Sequence, residues 1–380
     1  MRKLLYISLT TAAIFLGSCS DSDFENAYRD PSTVTTTTVP KQFAGFMKIN
    51  FEDVIPSYWN YFTVIRTTSL SYTQAHAVIN GTGRYVPGPA VNDRWVRYYK
   101  FIAQYRELEK VMASLPAAEQ AANRIYKVTS TIYLYDHTSK MIDNFGDIPF
   151  SEAGKISLTG GDYDAALAKY DNQTELYIKM LDELKGFSTE LNTITLAAGI
   201  ETTFKNQDLI NKGNLVMWKN YCNSLRLKLL NRVSAVPAFT ARANSEIAEI
   251  IAEAKIVDEN SENIAFRVYN QDTDLDTSGF FDALESGNNN VAPKPMIDHM
   301  NTNNDPRKPW LFEKGASATT YVGLDPMLAS GAQDQLISTT QIAIYNRSVI
   351  SKNKWLPGTL INAAEVNLLL AEYYSRNGNG

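Results

Sequence analysis

Two carboxylates lie close together in a loop rich in apolar side chains. Asp147 and Glu152 both fall within the segment Asn144–Ala153, beside Phe145 and Phe150. Apolar surroundings can shift the pKa of a carboxyl group by removing it from water. Glycoside hydrolysis uses two carboxyl groups about 5 to 10 Å apart, a separation that a sequence does not show. A surface glycosidase that uses this or another acid pair is therefore one hypothesis.

The same segment also has a purely structural interpretation. Gly146 allows backbone angles that other residues avoid, and Pro149 lacks an N–H donor, so a preceding helix has to end here. Asp147 would then accept hydrogen bonds from nearby backbone donors in the turn. We favour this interpretation, because the chain contains none of the serine-hydrolase, Walker or dinucleotide-binding glycine motifs that accompany other chemistries.

Metal-binding patterns are weak, and we predict neither a metal site nor a cofactor. The three histidines lie far apart, with no HExxH motif and no paired cysteines. The acidic run Asp272–Asp276 begins like a calcium-binding loop. However, Thr277 stands where the loop needs glycine and Ala283 where it needs a bidentate carboxylate.

Aromatic residues give the strongest positive signal. The chain has 21 Tyr, 16 Phe and 5 Trp, and several of them fall in loops rather than on apolar helix faces. Tyr and Trp combine a flat apolar face with one polar group, which suits stacking on sugar rings or gripping an extended peptide. Tyr85 and Tyr321 are loop aromatics of this kind, whereas Trp218 lies in a helical pattern that favours the core.

The N-terminus has the pattern of a lipoprotein signal. Arg2 and Lys3 precede an apolar run that is too short to span a bilayer, and Leu16–Cys19 follows as a small-residue cleavage site. We predict a signal peptide over residues 1–18 and lipidation of Cys19, which attaches the chain to a membrane. Nucleic acid is an improbable partner, because the formal net charge is -5.

The remaining chain is predicted to be mainly α-helical. Residues 19–40, acidic and then rich in Thr, predict an extended tether. Residues 41–380 predict one domain, with an irregular, loop-rich lobe at about 258–340. Apolar residues at helical spacing predict two helices that form an antiparallel hairpin, at 95–112 and 117–143, and further helices at 164–184, 211–233, 245–257 and 360–376.

Four segments, in order, resemble the SusD/RagB family of Bacteroidetes outer-membrane lipoproteins. Asn144–Ala153 is similar to the family's aromatic-Gly-Asp-Val/Ile-Pro segment, and Asp208–Arg232 to its tryptophan-containing helix. Asp305–Pro309 resembles its DPR motif, and Ala363–Glu372 its tetratricopeptide helix. Together with the N-terminal pattern, the resemblance covers nearly the whole chain.

The resemblance implies tetratricopeptide-like helical hairpins that form a scaffold, with the irregular lobe supplying the ligand surface. It also implies a non-catalytic cell-surface protein that delivers an oligosaccharide to a SusC-like, TonB-dependent transporter, or, as in RagB-like members, a peptide. By position, the family's ligand loop corresponds to Tyr85, Asn92 and Asp93, and Tyr321 is a further candidate in the loop after the DPR motif. Family members usually extend further, so C-terminal helices are expected beyond Gly380.

Overall fold

The chain folds mainly into α-helices, as the sequence predicts. The computed structural model describes residues 37–66, 68–77, 88–267, 278–288, 290–353 and 355–378. The longer helices are α1 (Val39–Ile49), α3 (Pro89–Ala113), α5 (Arg124–Phe145), α6 (Gln173–Glu190), α7 (Ala198–Gln207), α8 (Leu215–Val233), α9 (Pro237–Glu253) and α14 (Ala363–Arg376). Shorter helices are α2 (Ser69–Tyr72), α4 (Ala117–Ala122), α10 (Ser278–Glu285), α11 (Lys294–Thr302), α12 (Lys308–Leu311) and α13 (Ser330–Ser338). Two π-helical turns lie at Asn60–Ile65 and Arg347–Ser351.

Six short strands in the described residues form three antiparallel pairs. They are β1 (Ile148–Pro149), β2 (Tyr170–Asp171), β3 (Ile264–Phe266), β4 (Phe312–Glu313), β5 (Ile344–Tyr345) and β6 (Gly358–Ile361). β1 pairs with β2, β3 with β6 and β4 with β5, each in a separate two-stranded sheet. Sheets this small depend on packing against helices for their stability.

Helices α3 and α5 form the predicted antiparallel hairpin. Tyr98 of α3 hydrogen-bonds Thr138 of α5 at 3.0 Å, and Tyr105 hydrogen-bonds Thr131 at 2.6 Å. Residue numbers therefore increase along α3 in the direction in which they decrease along α5, so the two helices are antiparallel. The phenol hydroxyls need these partners because both tyrosines are buried. Helix α1 also packs against α3, with Phe46 stacked on Phe101 at 4.4 Å between ring centroids.

Helix α8 is the centre of the second half of the scaffold. It packs against α6, α9 and α14, and its first residues follow a cap in which Asn214 accepts from the Met217 N–H at 3.2 Å. The predicted core position of Trp218 is confirmed, since that side chain is fully buried. A buried ion pair of 2.9 Å between Arg226 and Glu246 joins α8 to α9. Removal of either partner would leave an uncompensated charge in the core, which is strongly destabilising.

Two predicted helix boundaries were wrong by eight or nine residues. The helix predicted at 164–184 begins at Gln173, because Asn172 caps it by accepting from the N–H groups of Thr174 and Glu175. Residues before the cap turn back to form β2, which leaves Leu167 exposed. The helix predicted at 245–257 begins at Pro237, a residue favoured in the first helical turn because it lacks an N–H.

The predicted tether is also too long by two residues. Helix α1 begins at Val39, and its buried residues Val39, Phe43, Phe46 and Met47 recur on one helical face. Pro40 is compatible with this start because a first-turn N–H would have no helical acceptor. From Val39 onward the chain forms one compact unit.

The described part of the region predicted to be irregular consists of short helices and strands joined by loops. Helices α10 to α13 lie there, and two small apolar clusters hold the region together. One contains Ile297, Met300 and Phe312, and the other contains Val291 and Leu324. Within the described residues, no helix combines the length and the apolar character that crossing a membrane requires.

Candidate functional site

The loop Asn144–Ala153 is held against α3 by a buried arginine. Arg106 donates from Nη2 to the carbonyl oxygen of Phe150 at 2.7 Å and from Nε to that of Ala153 at 3.1 Å. Gly146 ends α5 with φ +75°, in the left-handed range where glycine avoids a side-chain penalty. Ile148 and Phe150 are buried. The loop is therefore fixed to the scaffold.

The two carboxylates of this loop accept backbone hydrogen bonds. Asp147 Oδ1 accepts from the N–H of Gln173 at 2.9 Å, and Glu152 Oε2 accepts from that of Lys169 at 3.4 Å. The turn role predicted for Asp147 needs a correction, since its donor is the first residue of α6 and lies 26 residues away. Asp147 thus binds the N-terminus of a helix, where a negative charge is stabilising.

A cleft of about 1030 Å³ lies between α1, α3, α10 and the segment 51–59. We call it the aromatic cleft. It is lined by Lys48, Ile49, Phe51, Glu52, Ile55, Pro56, Ser57, Tyr58, Trp59, Asp93, Val96, Arg97, Lys100, Ser278, Gly279 and Phe280. Its combination of apolar walls and a few polar groups is typical of ligand sites.

Trp59 presents an indole ring to this cleft. The side chain is 55% exposed, although it is large and apolar. Its Nε1–H donates to Oδ2 of Asp93 in the first turns of α3, at 3.2 Å. This bond uses the polar edge of the indole and limits rotation of the side chain. The ring is thus held in one orientation beside the cleft.

Tyr58, beside Trp59, is held by a stack of side chains. Its ring lies parallel to that of Phe62, with 5.5 Å between centroids and an interplanar angle of 9°. The guanidinium carbon of Arg66 lies 3.7 Å from the centroid of Phe62. Gly279 of α10 approaches this segment so closely that a Cβ atom there would lie 3.1 Å from the Tyr58 nitrogen. These contacts fix a ring that is 43% exposed.

Charged side chains line the cleft or lie close to it. Arg97 donates to Oε2 of Glu52 at 2.5 Å, and Arg94 lies 3.4 Å from Oδ2 of Asp53 behind the cleft. Burial raises the pKa of Asp53 above its ordinary value, and the nearby Arg94 and Arg97 only partly oppose this. Asp93, Arg97 and Lys100 lie at steps of four and three along α3, so they share one helix face.

The structure places the predicted ligand residues in different surroundings. Asp93 lines the aromatic cleft, whereas Asn92 is exposed in the same helical turn and does not line it. Tyr321 packs against the cluster around Ile297 and Phe312, with Lys308 Nζ 5.3 Å from its ring centroid. Tyr85, the lipidation candidate Cys19 and the acidic run Asp272–Asp276 lie outside the described residues.

Sequence reasoning missed Trp59, Tyr58 and Lys100 as site residues. One signal existed for the first two. The sequence Pro56-Ser57 is followed by adjacent Tyr58 and Trp59, which predicts a helix start with two large rings on different sides. For Lys100 the signal was the polar face of α3 opposite Tyr98 and Ile102. Neither signal shows which of the two faces meets another element.

A smaller cavity of about 360 Å³ lies between α5, α6, α8 and α14. Several of its charged groups are paired: Lys228 lies 2.7 Å from Glu365, and Arg232 lies 3.2 Å from Asp143. A ligand that binds these groups would have to compete with the ion pairs. No cluster of three or more His, Cys, Asp or Glu side chains with the placement of a metal site occurs in the described part of the chain.

Comparison with known proteins identifies the fold and the family. A family model, SusD-like, described as starch-binding and associating with the outer membrane, matches residues 45–378. A SusD homologue from Parabacteroides distasonis is similar in structure, with a TM-score of 0.70 and 18% identity over 90% of this chain and 69% of that chain.

Two further solved structures show the same fold. For a SusD/RagB family protein from Bacteroides thetaiotaomicron the TM-score is 0.63, with 16% identity over 91% of this chain and 69% of that chain. For a chitin-binding SusD homologue from Flavobacterium johnsoniae it is 0.64, with 21% identity over 88% and 66%. No curated protein matches the chain.

Proposed function

The chain belongs to the SusD-like family, and on that premise we propose that it is a non-catalytic protein that binds oligosaccharides at the cell surface. The family description names starch binding and association with the outer membrane, and one structural relative is described as chitin-binding. In this proposal, Cys19 carries the lipid anchor after removal of residues 1–18, and residues 19–38 form the tether.

The observation that carries the proposal is the orientation of Trp59 in the aromatic cleft. Its indole is half-exposed and tied by Asp93, and the half-exposed Tyr58 lies beside it. Two fixed aromatic rings next to carboxylate acceptors suit a sugar, whose C–H face stacks and whose hydroxyls donate hydrogen bonds. We propose Trp59 and Tyr58 as stacking residues and Asp93 as a positioning residue that also accepts from a hydroxyl.

The remaining predicted contacts extend this proposal. Asn92 is exposed one residue before Asp93, and Tyr85 precedes the same helix, so both are proposed as further ligand contacts. Tyr321 belongs to a different surface patch and is proposed as a separate contact. Delivery to a SusC-like, TonB-dependent transporter is the proposed outcome of binding. The helix pairs around α8 are proposed to be tetratricopeptide-like hairpins.

Isothermal calorimetry with a panel of oligosaccharides and short peptides tests the proposal. We expect binding of at least one oligosaccharide, and loss of tenfold or more in affinity for Trp59→Ala, or about 1.4 kcal/mol. Trp355→Ala is the matched control, because Trp355 is similarly exposed (49%) and does not line the cleft. The affinity of Tyr321→Ala tests whether the separate surface patch that contains Tyr321 contributes to binding.

Three results would contradict the proposal. Binding of peptides alone would favour the RagB-like alternative, and release of shorter sugars from the panel would favour the glycosidase. Equal affinity of Trp59→Ala and the unaltered protein would show that the aromatic cleft does not bind the oligosaccharide.

A separate experiment tests the lipid anchor. Cys19→Ala is expected to release the protein from the membrane fraction, whereas a membrane-bound variant would exclude lipidation at Cys19.

A further inference from the structure

We infer that the ion pair between Asp53 and Arg94 positions one wall of the aromatic cleft for sugar binding. This wall, which we call the aromatic wall, is the segment 51–59 and carries the rings of Tyr58 and Trp59. Neither Asp53 nor Arg94 lines the cleft, so both act on a ligand through other residues. The inference rests on the proposed oligosaccharide-binding function and adds two positioning residues to it.

The aromatic wall is built from irregular backbone. It begins with the 3-10 turn Phe51–Asp53 and leads into the π-helical turn Asn60–Ile65. Phe51 and Ile55 are buried, and the ring of Phe51 packs edge-on against Phe266 of β3 with 5.7 Å between centroids. These apolar contacts hold the first half of the wall on the core. The two rings at its other end depend on further contacts for their position.

Two ion pairs join the aromatic wall to α3, and they differ in their exposure to water. Arg97 donates to Glu52, whose side chain is 48% exposed. The guanidinium of Arg94 lies 3.4 Å from Oδ2 of Asp53, whose side chain is only 6% exposed. Exposed ion pairs contribute little because water screens them, whereas a buried carboxylate that loses its cation is strongly unfavourable. The position of the wall is therefore more sensitive to the second pair.

The buried ion pair lies next to the bond that orients Trp59. Arg94 directly follows Asp93 on α3, and Asp93 accepts from the Trp59 indole at 3.2 Å. The aromatic wall is thus bound to adjacent residues of one helix at both Asp53 and Trp59. Because 3.2 Å is the upper end of the usual range for an N–H···O bond, a displacement of the wall by about 1 Å is enough to weaken this contact.

The charge of Asp53 depends on the cations around it. Burial raises the pKa of this carboxyl above its ordinary value, and the charge of Glu52 adds to the effect. Arg94 is the strongest opposing charge, followed by Arg97 and Lys140. Removal of Arg94 leaves a charge that the core disfavours, so the wall gains by moving Asp53 towards water. Replacing Asp53 by Asn removes that charge and keeps the shape of the side chain.

Calorimetry with maltotetraose and chitotetraose tests this inference on three variants of the full chain. We expect Arg94→Met to weaken binding about tenfold, because it leaves the buried carboxylate without its main cation. Asp53→Asn should weaken binding only about threefold, since no buried charge remains. The double variant should return to the affinity of Asp53→Asn, because the charge and its cation are both absent. This recovery distinguishes positioning by the ion pair from a simple loss of contacts.

Lys228→Met is the matched control. Lys228 pairs with Glu365 at 2.7 Å, is about as exposed as Arg94 and does not line the cleft. We expect this variant to lose stability and to keep its affinity. Equal losses of affinity in Arg94→Met and Lys228→Met, or weaker binding by the double variant than by Arg94→Met, would overturn the inference. If Arg94→Met gives no folded protein, unchanged affinity in Asp53→Asn would overturn it.

Acrylamide quenching of tryptophan emission measures the position of Trp59 in the absence of sugar. The Trp59 component is the difference in emission between each protein and the same protein with Trp59→Phe. We expect stronger quenching of this component in Arg94→Met, and a return towards the unaltered protein in the double variant. Unchanged quenching in Arg94→Met would overturn the inference even where sugars bind. Absence of binding to the unaltered protein would instead contradict the proposed function, and quenching would still show whether the ion pair positions the wall.

Discussion

The indole N–H of Trp59 donates to the carboxylate of Asp93 at 3.2 Å, joining two elements that are 34 residues apart in sequence. Trp59 precedes a π-helical turn, and Asp93 lies in the first turns of α3. The bond orients a half-exposed ring in a cleft of about 1030 Å³. This one exposed hydrogen bond thus determines where the main aromatic ring of the cleft lies.

This bond predicts different effects for two substitutions of Asp93. Asp93→Ala removes the acceptor, and we expect about fivefold weaker oligosaccharide binding, equivalent to roughly 1 kcal/mol for one hydrogen bond. Asp93→Asn keeps an acceptor oxygen and is expected to stay within about twofold of the unaltered protein. Calorimetry measures both, and tryptophan fluorescence reports the indole environment. Equal losses in the two variants would show that the charge of Asp93, rather than the bond, is what matters.

The carboxylates of the Asn144–Ala153 loop give a second prediction. Asp147→Ala removes the acceptor for the Gln173 N–H at the start of α6. We therefore expect a loss of about 1 kcal/mol in the free energy of unfolding, as for loss of a helix cap. Oligosaccharide affinity should not change, because Asp147 does not line the cleft. Urea unfolding and calorimetry are the measurements.

Glu152→Ala is the control for this prediction. Its bond to Lys169 is longer, at 3.4 Å, so we expect a smaller loss of stability. If either variant kept its stability but lost a sugar-releasing activity of the unaltered protein, the acid pair would be catalytic.

A buried carboxylate between α5 and α8 predicts sensitivity to acid. Asp136 accepts from the Tyr221 hydroxyl at 2.7 Å and lies 3.0 Å from Lys140 Nζ. Burial by itself would raise the pKa of Asp136, but the charge of Lys140 and the Tyr221 bond outweigh it and lower the pKa below its ordinary value. The unfolded chain therefore binds the extra proton first, and stability falls as the pH drops below about 4.

Thermal unfolding between pH 3 and pH 7 tests the role of Asp136. Asp136→Asn is expected to cost about 2 kcal/mol at pH 7, because a charged hydrogen-bond acceptor is lost from the core. It should also flatten the loss of stability below pH 4. Asp164→Asn is the control, since Asp164 is exposed. An unchanged acid slope in Asp136→Asn would assign the acid sensitivity to other carboxylates.

The local sequence pattern was sufficient to predict much of the helical scaffold. Apolar spacing predicted the α3–α5 hairpin, because a helix repeats every 3.6 residues and a buried face has to follow that period. Gly146 and Pro149 located the loop between α5 and α6 for steric reasons. Helix boundaries were predicted less accurately where a residue distant in sequence determines them. Asp171 accepts from the N–H groups of Phe150 and Ser151, which draws residues 170–171 into β2 instead of helix α6.

The sequence by itself determined that the chain is helical, that its four family-like segments occur in order, and that aromatic residues dominate its candidate sites. Only the tertiary structure decided which aromatics share a cleft. It placed Trp59 against Asp93 and packed Tyr321 elsewhere, against the cluster around Phe312. The physical reason is that periodicity reports which face of an element is buried. Contacts between elements depend on how helices pack, and in this chain on single residues such as Gly279, whose missing side chain admits α10 beside Tyr58.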